Sequence, residues 1–100
     1  MFFITQLIYI EDGQENLFYE FEDHAIPIIS KYNGRLLLRL RPTEASYISY
    51  DIDLPDEIHL VGFETEQDFY NFTKDEERKQ FLDLKEQSIK SVLLIKGTDV

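Results

Sequence analysis

The periodicities along this chain predict an α+β fold in the order strand–helix–strand–strand–helix–strand. Three observations carry that reading. The first run, "FFITQLIYI" at 2–10, and the last, "SVLLIK" at 91–96, are apolar and rich in β-branched residues, the composition of strands covered on both faces. Between 15 and 32, Leu17, Phe18, Phe21, Ala25, Ile28, Ile29 and Tyr32 recur at three- and four-residue intervals, which is one stripe of an amphipathic helix. "RLLLRLR" at 35–41 and "EIHLVGFE" at 57–64 supply two further strands ahead of a second helix. That order is the split βαβ, ferredoxin-like arrangement. It makes a four-stranded antiparallel sheet with the first and last strands adjacent and both helices on one face. One hundred residues make a single domain, 1–100.

Each element has its own signal. "EDGQ" after the first strand turns the chain. Pro27 inside the first helix removes a backbone donor and predicts a kink near 23–27. Asn33-Gly34 ends that helix, with Gly34 expected as the left-handed cap. The connection after Pro42 contains "YISYDIDL", whose alternation reads as an extended hairpin arm. Thr65 caps the second helix with Asp68 as its capping-box partner, and Phe69 and Phe72 face inward. Thr73 and Glu76 repeat that spacing, so the helix breaks and restarts through Phe81, Leu82 and Leu84.

Two helices cover one face of such a sheet and leave the other bare, whereas the first and last strands are apolar on both sides. A second layer is required, and a second copy of the chain is the economical source of it. In a trial register, Leu36, Leu38 and Leu40 share the helix-covered face with Ile58 and Leu60. Arg35, Leu37, Arg39 and Arg41 then share the open face with Glu57, His59, Val61 and Phe63. With Arg39 opposite His59, Arg41 falls opposite Glu57, a cross-strand pair worth about 0.2–1 kcal/mol.

Charge and composition narrow the function. Twenty acidic against ten basic residues give a net charge of −10, which repels phosphate backbones and anionic membranes, so neither nucleic acid nor membrane is expected as a partner. The acids at 11–23, Glu11, Asp12, Glu15, Glu20, Glu22 and Asp23, read as a solvated helix face. Without cysteine there is neither disulfide nor thiolate chemistry. The two histidines have no ligand spacing, so no metal and no cofactor are expected. The apolar start lacks a basic leader and is too short to span a bilayer, which points to the cytoplasm.

Five residues stand out as site candidates. Arg39 and Arg41 belong to a chain with only four arginines, three of them within seven residues. They form either an ionic rim at the contact between two copies or an anion-binding pocket. His59 shares their face. Tyr50 sits on the long connection, which could lid a pocket or grip a partner. His24 lies at the edge of the helical stripe, one turn from Glu20, and is either a carboxylate-oriented general base or a border histidine.

"PIISKYNGRLLLR" at 27–39 and "PDEIHLVGFETEQDFYNF" at 55–72 resemble the helix-to-strand joint and the third strand and second helix of domain-of-unknown-function family 1330, and "SVLLIKG" resembles its last strand. The sequence departs from that family at Asn33, where glycine is usual, and at Arg39–Pro42, where a glycine-rich strand end is common. The resemblance implies a dimeric α/β barrel and no particular activity. The expectation is therefore a homodimeric module that binds a small molecule or serves an accessory role. The alternative is a cofactor-independent enzyme, monooxygenase- or isomerase-like. It would act on a small aromatic or carboxylated metabolite between sheet and helices, with His24 as base and Arg39 as anion anchor.

Overall fold

A computed structural model describes residues 1–99. Its elements are β1 (Phe2–Ile10), α1 (Glu15–Ala25) continued by a 3-10 segment (Ile26–Tyr32), β2 (Gly34–Leu40), β3 (Glu57–Phe63), α2 (Glu66–Thr73), α3 (Glu76–Lys79), α4 (Leu82–Ser88) and β4 (Ile89–Thr98). The strands are antiparallel in the order β2-β3-β1-β4, so the first and last in sequence are neighbours. No described helix is long and apolar enough to cross a membrane.

The core lies between the sheet and the helices. Phe2, Ile4, Ile8 and Ile10 of β1 and Val61 and Phe63 of β3 are buried against Phe18, Phe21, Ile29 and Phe69 from the helical layer. Pro27 has the expected effect: α1 ends at Ala25, and the chain continues in the tighter 3-10 form with the proline in its first turn, where the missing N–H costs nothing. Thr65 and Asp68 form the capping box of α2. The break after Thr73 is made by Asp75, whose carboxylate accepts from the backbone N–H of Arg78 at 2.8 Å and starts α3.

The joint between the first helix and β2 differs from expectation. Asn33, with φ 58°, takes the left-handed position rather than Gly34. Gly34 is glycine for want of space. A Cβ there would lie 2.6 Å from the Phe63 ring and 2.7 Å from the Ile29 Cγ2. Gly34→Ala is expected to cost about 1–3 kcal/mol in folding stability through overpacking, read from the urea midpoint, and an unshifted midpoint would contradict so tight a joint.

The trial register is right in pairing and wrong in face. Arg39 does pair with His59. However, Val61 and Phe63, with Glu57 and His59 in phase with them, point under the helices, while Ile58 and Leu60 face the open side. The ladder between β2 and β3 shifts register between Leu36 and Leu38, a β-bulge that inserts Leu37 as an extra residue. Leu36 therefore packs on the core, Leu38 and Leu40 face outward, and Arg39 and Arg41 turn inward. Val61, only 6% exposed, is a core residue and not an interface one.

The open face carries Phe3, Leu7 and Tyr9 of β1, Leu38 and Leu40 of β2, Ile58 and Leu60 of β3 and Leu93 and Ile95 of β4, by the register of the ladders. The "YISYDIDL" segment is not a hairpin arm. It is an irregular connection tied to the end of β1, where Asp56 Oδ2 accepts from Ile10 N at 2.7 Å and Tyr9 Oη donates to Asp53 O at 2.7 Å. No strand runs beside it to satisfy its backbone, so the alternation of side chains has no ladder to join.

Candidate functional site

A cavity of about 270 Å³ separates the sheet from the helices. Its wall is mostly apolar, with Phe21, Phe63, Phe69 and Phe72 as its largest side chains and Val92 and Leu94 of β4 on one flank. Five polar side chains interrupt it: Gln6 from β1, Glu22 from α1, His59 from β3, Arg78 from α3 and Lys85 from α4. A small apolar chamber with a few convergent polar groups is the usual form of a small-molecule site.

Behind His59 stands a buried ionic cluster. Glu57 is wholly inaccessible and lies 2.8 Å from His59 Nε2 through Oε1. Arg39 Nε donates to the same oxygen at 2.8 Å, and Arg41 Nε donates to Oε2 at 2.8 Å. Arg41 also lies over the Tyr19 ring, 4.3 Å from its centroid. Burial pushes the Glu57 carboxyl upward, but the hydrogen bonds from His59, Arg39 and Arg41 outweigh it and hold the pKa at about 2. Glu57 thus fixes the imidazole at the cavity wall and is itself fixed by two guanidinium groups, the arrangement of a base and its orienting carboxylate.

The other ionisable groups of the cavity are less well matched. Burial raises the pKa of Glu22, and neighbouring cationic groups, Arg39 and Arg78 among them, only partly offset it. Burial lowers Arg78, with Glu22 and Asp75 opposing. Lys85 is lowered first by burial and then by the neighbouring Arg78 charge.

The candidates read from the sequence separate accordingly. His59 lines the cavity, and Arg39 and Arg41 form the cluster behind it, on the helix-covered side and not on the face expected to meet a partner. The ionic rim between two copies is not what they build within the protomer, because their carboxylate is their own Glu57. Tyr50 is exposed on the connection, with its hydroxyl 3.3 Å from Glu44, and does not line the cavity. His24 is exposed and stacked on Phe81 at a centroid distance of 3.8 Å. Glu20 makes no hydrogen bond to it among the described residues, and the ring does not line the cavity.

Sequence reasoning missed Gln6, Glu22, Arg78 and Lys85. Two of them left a signal. Gln6 interrupts the apolar series Phe2, Ile4, Ile8, Ile10, and Glu22 lies on the helical stripe four residues after Phe18 and three before Ala25. Glu22 is buried rather than part of a solvated acidic face, which the other five acids of 11–23 do form.

No family model and no curated protein matches the chain. Solved structures do. A dabb family protein from Mesorhizobium loti, described as having a ferredoxin-like fold, superposes with a TM-score of 0.68 at 16% identity, over 99% of this chain and 96% of its own. The fold is ferredoxin-like. A protein of unknown function from Rhodopseudomonas palustris gives a TM-score of 0.84 at 9% identity, over 99% of this chain and 82% of its own. A candidate antibiotic biosynthesis monooxygenase from Nitrosomonas europaea gives 0.73 at 12% identity, over 100% of this chain and 99% of its own. At these identities the likeness carries the architecture and nothing further.

Proposed function

We propose that this protein is a cytoplasmic homodimeric module that binds a small, largely apolar molecule in the chamber between its helices and its sheet. The cavity of about 270 Å³ with its aromatic wall carries the proposal. An apolar cavity of about 150 Å³ holds a benzene ring, so a volume of this size has room for one substituted ring. The likeness at 27–39 and 55–72 supports membership of family 1330 as part of this proposal. The absence of disulfides is compatible with a reducing cytoplasm.

The dimer rests on the open sheet face. Strands of seven to ten residues make it on the order of 500 Å² in projection. Side-chain relief brings that toward the ~800 Å² per partner of a standard interface. Leu38, Leu93 and Ile95 are about half exposed on it, and no Asp or Glu from the strands points there. In a chain of net charge −10, a carboxylate-free apolar face is one on which two copies meet without mutual repulsion.

The test of the chamber is a titration with benzyl alcohol, a neutral single-ring probe, followed by the thermal unfolding midpoint. A saturable rise of a few degrees is expected, because a ligand that binds only the folded state stabilises it. An unchanged midpoint would remove the proposal. The alternative, a cofactor-independent enzyme, is favoured by one observation, the Glu57-oriented His59 at the cavity wall. In that reading His59, rather than His24, is the residue able to move a proton at a bound ring.

A further inference from the structure

The charges around the cavity do not balance, and the imbalance has a direction. Arg39, Arg41, Arg78 and Lys85 bring four cations to the cavity and its backing cluster, against the two carboxylates Glu22 and Glu57. Glu57 is saturated by Arg39, Arg41 and His59. Arg78 has Glu22 and Asp75 near it and Lys85 has Glu22 and Glu86, but neither cation forms an ion pair among the described residues. Such a gathering of half-buried cations is unusual in a chain of net charge −10.

Arg78 is also poorly satisfied as a hydrogen-bond donor. Its guanidinium lies 5.1 Å from the Phe72 centroid and 6.0 Å from that of Phe21, so two aromatic walls of the cavity hold it in place. Of its five N–H groups, one donates to Thr73 O at a long 3.4 Å, and Nε is buried with no partner among the described residues. Buried donors in folded proteins are paired in the great majority of cases, and an orphan beside a cavity marks where an acceptor belongs. Lys85 Nζ has no hydrogen-bond partner among the described residues either, and it lines the same chamber. A planar fork and an ammonium beside an aromatic wall match a carboxylate attached to a ring.

We propose that the chamber selects small single-ring carboxylates, with the carboxylate held by Arg78 and Lys85 at the helical wall and the ring lying among Phe21, Phe63, Phe69 and Phe72. This rests on the chamber being a ligand site and goes further by naming the class of ligand. Arg78 and Lys85 are the anchors, and Glu22 is the carboxylate that lines the chamber beside them.

The experiment is calorimetric titration of the full chain with benzoate and with benzyl alcohol at neutral pH. Wild type is expected to bind benzoate at least about tenfold more tightly than the alcohol. Arg78→Met and Lys85→Met should each remove most of that preference while leaving benzyl alcohol binding within about twofold. Glu22→Gln should tighten benzoate by about threefold or more, because it deletes the opposing charge and keeps the shape. That gain in affinity also guards against reading a folding defect as lost charge recognition. If benzyl alcohol binds and benzoate binds no better, the carboxylate assignment falls and the chamber survives. If benzoate is preferred but neither cation variant weakens it, the anchors are wrong and the proposal falls with them. If neither compound binds, the chamber itself is not a ring site and both readings fall.

Discussion

Glu57→Ala is expected to lower the folding stability of this protein by about 3–5 kcal/mol, measured as the free energy of urea unfolding at neutral pH. Glu57 is completely buried and accepts from Arg39 and Arg41 while facing His59 at 2.8 Å. Arg39 is the more enclosed of the two arginines, with a quarter of its side chain exposed, whereas Arg41 is more than half exposed and can turn to water. Removing the carboxylate therefore leaves one largely desolvated guanidinium without its counter-charge, and that is where most of the loss arises. Arg41→Met should cost far less, about 1 kcal/mol or below. Pairing Glu57→Leu with Arg39→Met should recover a good part of the loss, since burying an apolar pair is cheaper than stranding one charge.

The same cluster sets a pH dependence with a definite sign. The Glu57 pKa is about 2 in the folded chain against 4.5 for an ordinary glutamate. Between those values the unfolded chain binds the extra proton, so stability falls as pH falls. The contribution is fully present above about pH 4.5 and is lost as pH falls through about 2, and it amounts to about 3 kcal/mol. Many other carboxylates titrate in the same interval in so acidic a chain. The informative quantity is therefore the difference between wild type and Glu57→Gln, whose stability should converge with that of wild type toward pH 2. Parallel curves for the two proteins down to that pH would mean that the carboxylate is not held as described.

The elements of this fold were legible because each rests on local chemistry. The 3.6-residue stripe of α1, Pro27, the Thr65–Asp68 box and the apolar runs of β1 and β4 are all set by neighbours in sequence. The faces of β2 and β3 were not legible. Alternation distinguishes two faces only when one of them is polar, and here leucines stand on both. Leu36 belongs to the core and Leu38 to the open side, and the single extra residue between them, Leu37, leaves no mark in the pattern. That bulge decides which way Arg39 and Arg41 point, so the ionic cluster could be composed from sequence but not placed. Arg78 and Lys85 were hidden for a different reason. They stand on two short helices separated by a break, so their convergence on one cavity depends on the path between the helices and not on any spacing.

If two copies meet on the open face as proposed, Leu93→Asp is expected to raise the dissociation constant of that dimer at least ~100-fold, seen by sedimentation as a shift from dimer to protomer at micromolar concentration. Leu93 stands in β4 opposite Leu7, on the face that the helices leave bare, and is 47% exposed within the protomer. An aspartate there remains hydrated in the isolated protomer, so folding should be little disturbed. In a symmetric dimer the substitution enters twice, and each copy buries a carboxylate against a facing sheet that is mainly apolar. Ile48→Asp is the matched control, since Ile48 is fully exposed on the connection and lies off the sheet. It should leave the dimer intact. A wild-type chain that sediments as a lone protomer at every concentration, or a Leu93→Asp variant that dimerises as wild type does, would show that this face is covered by something other than a second copy. Val61→Asp tests the corrected phase of β3 from the other side. Val61 lies in the core under the helices, so that charge should reduce folding itself, before any question of association arises.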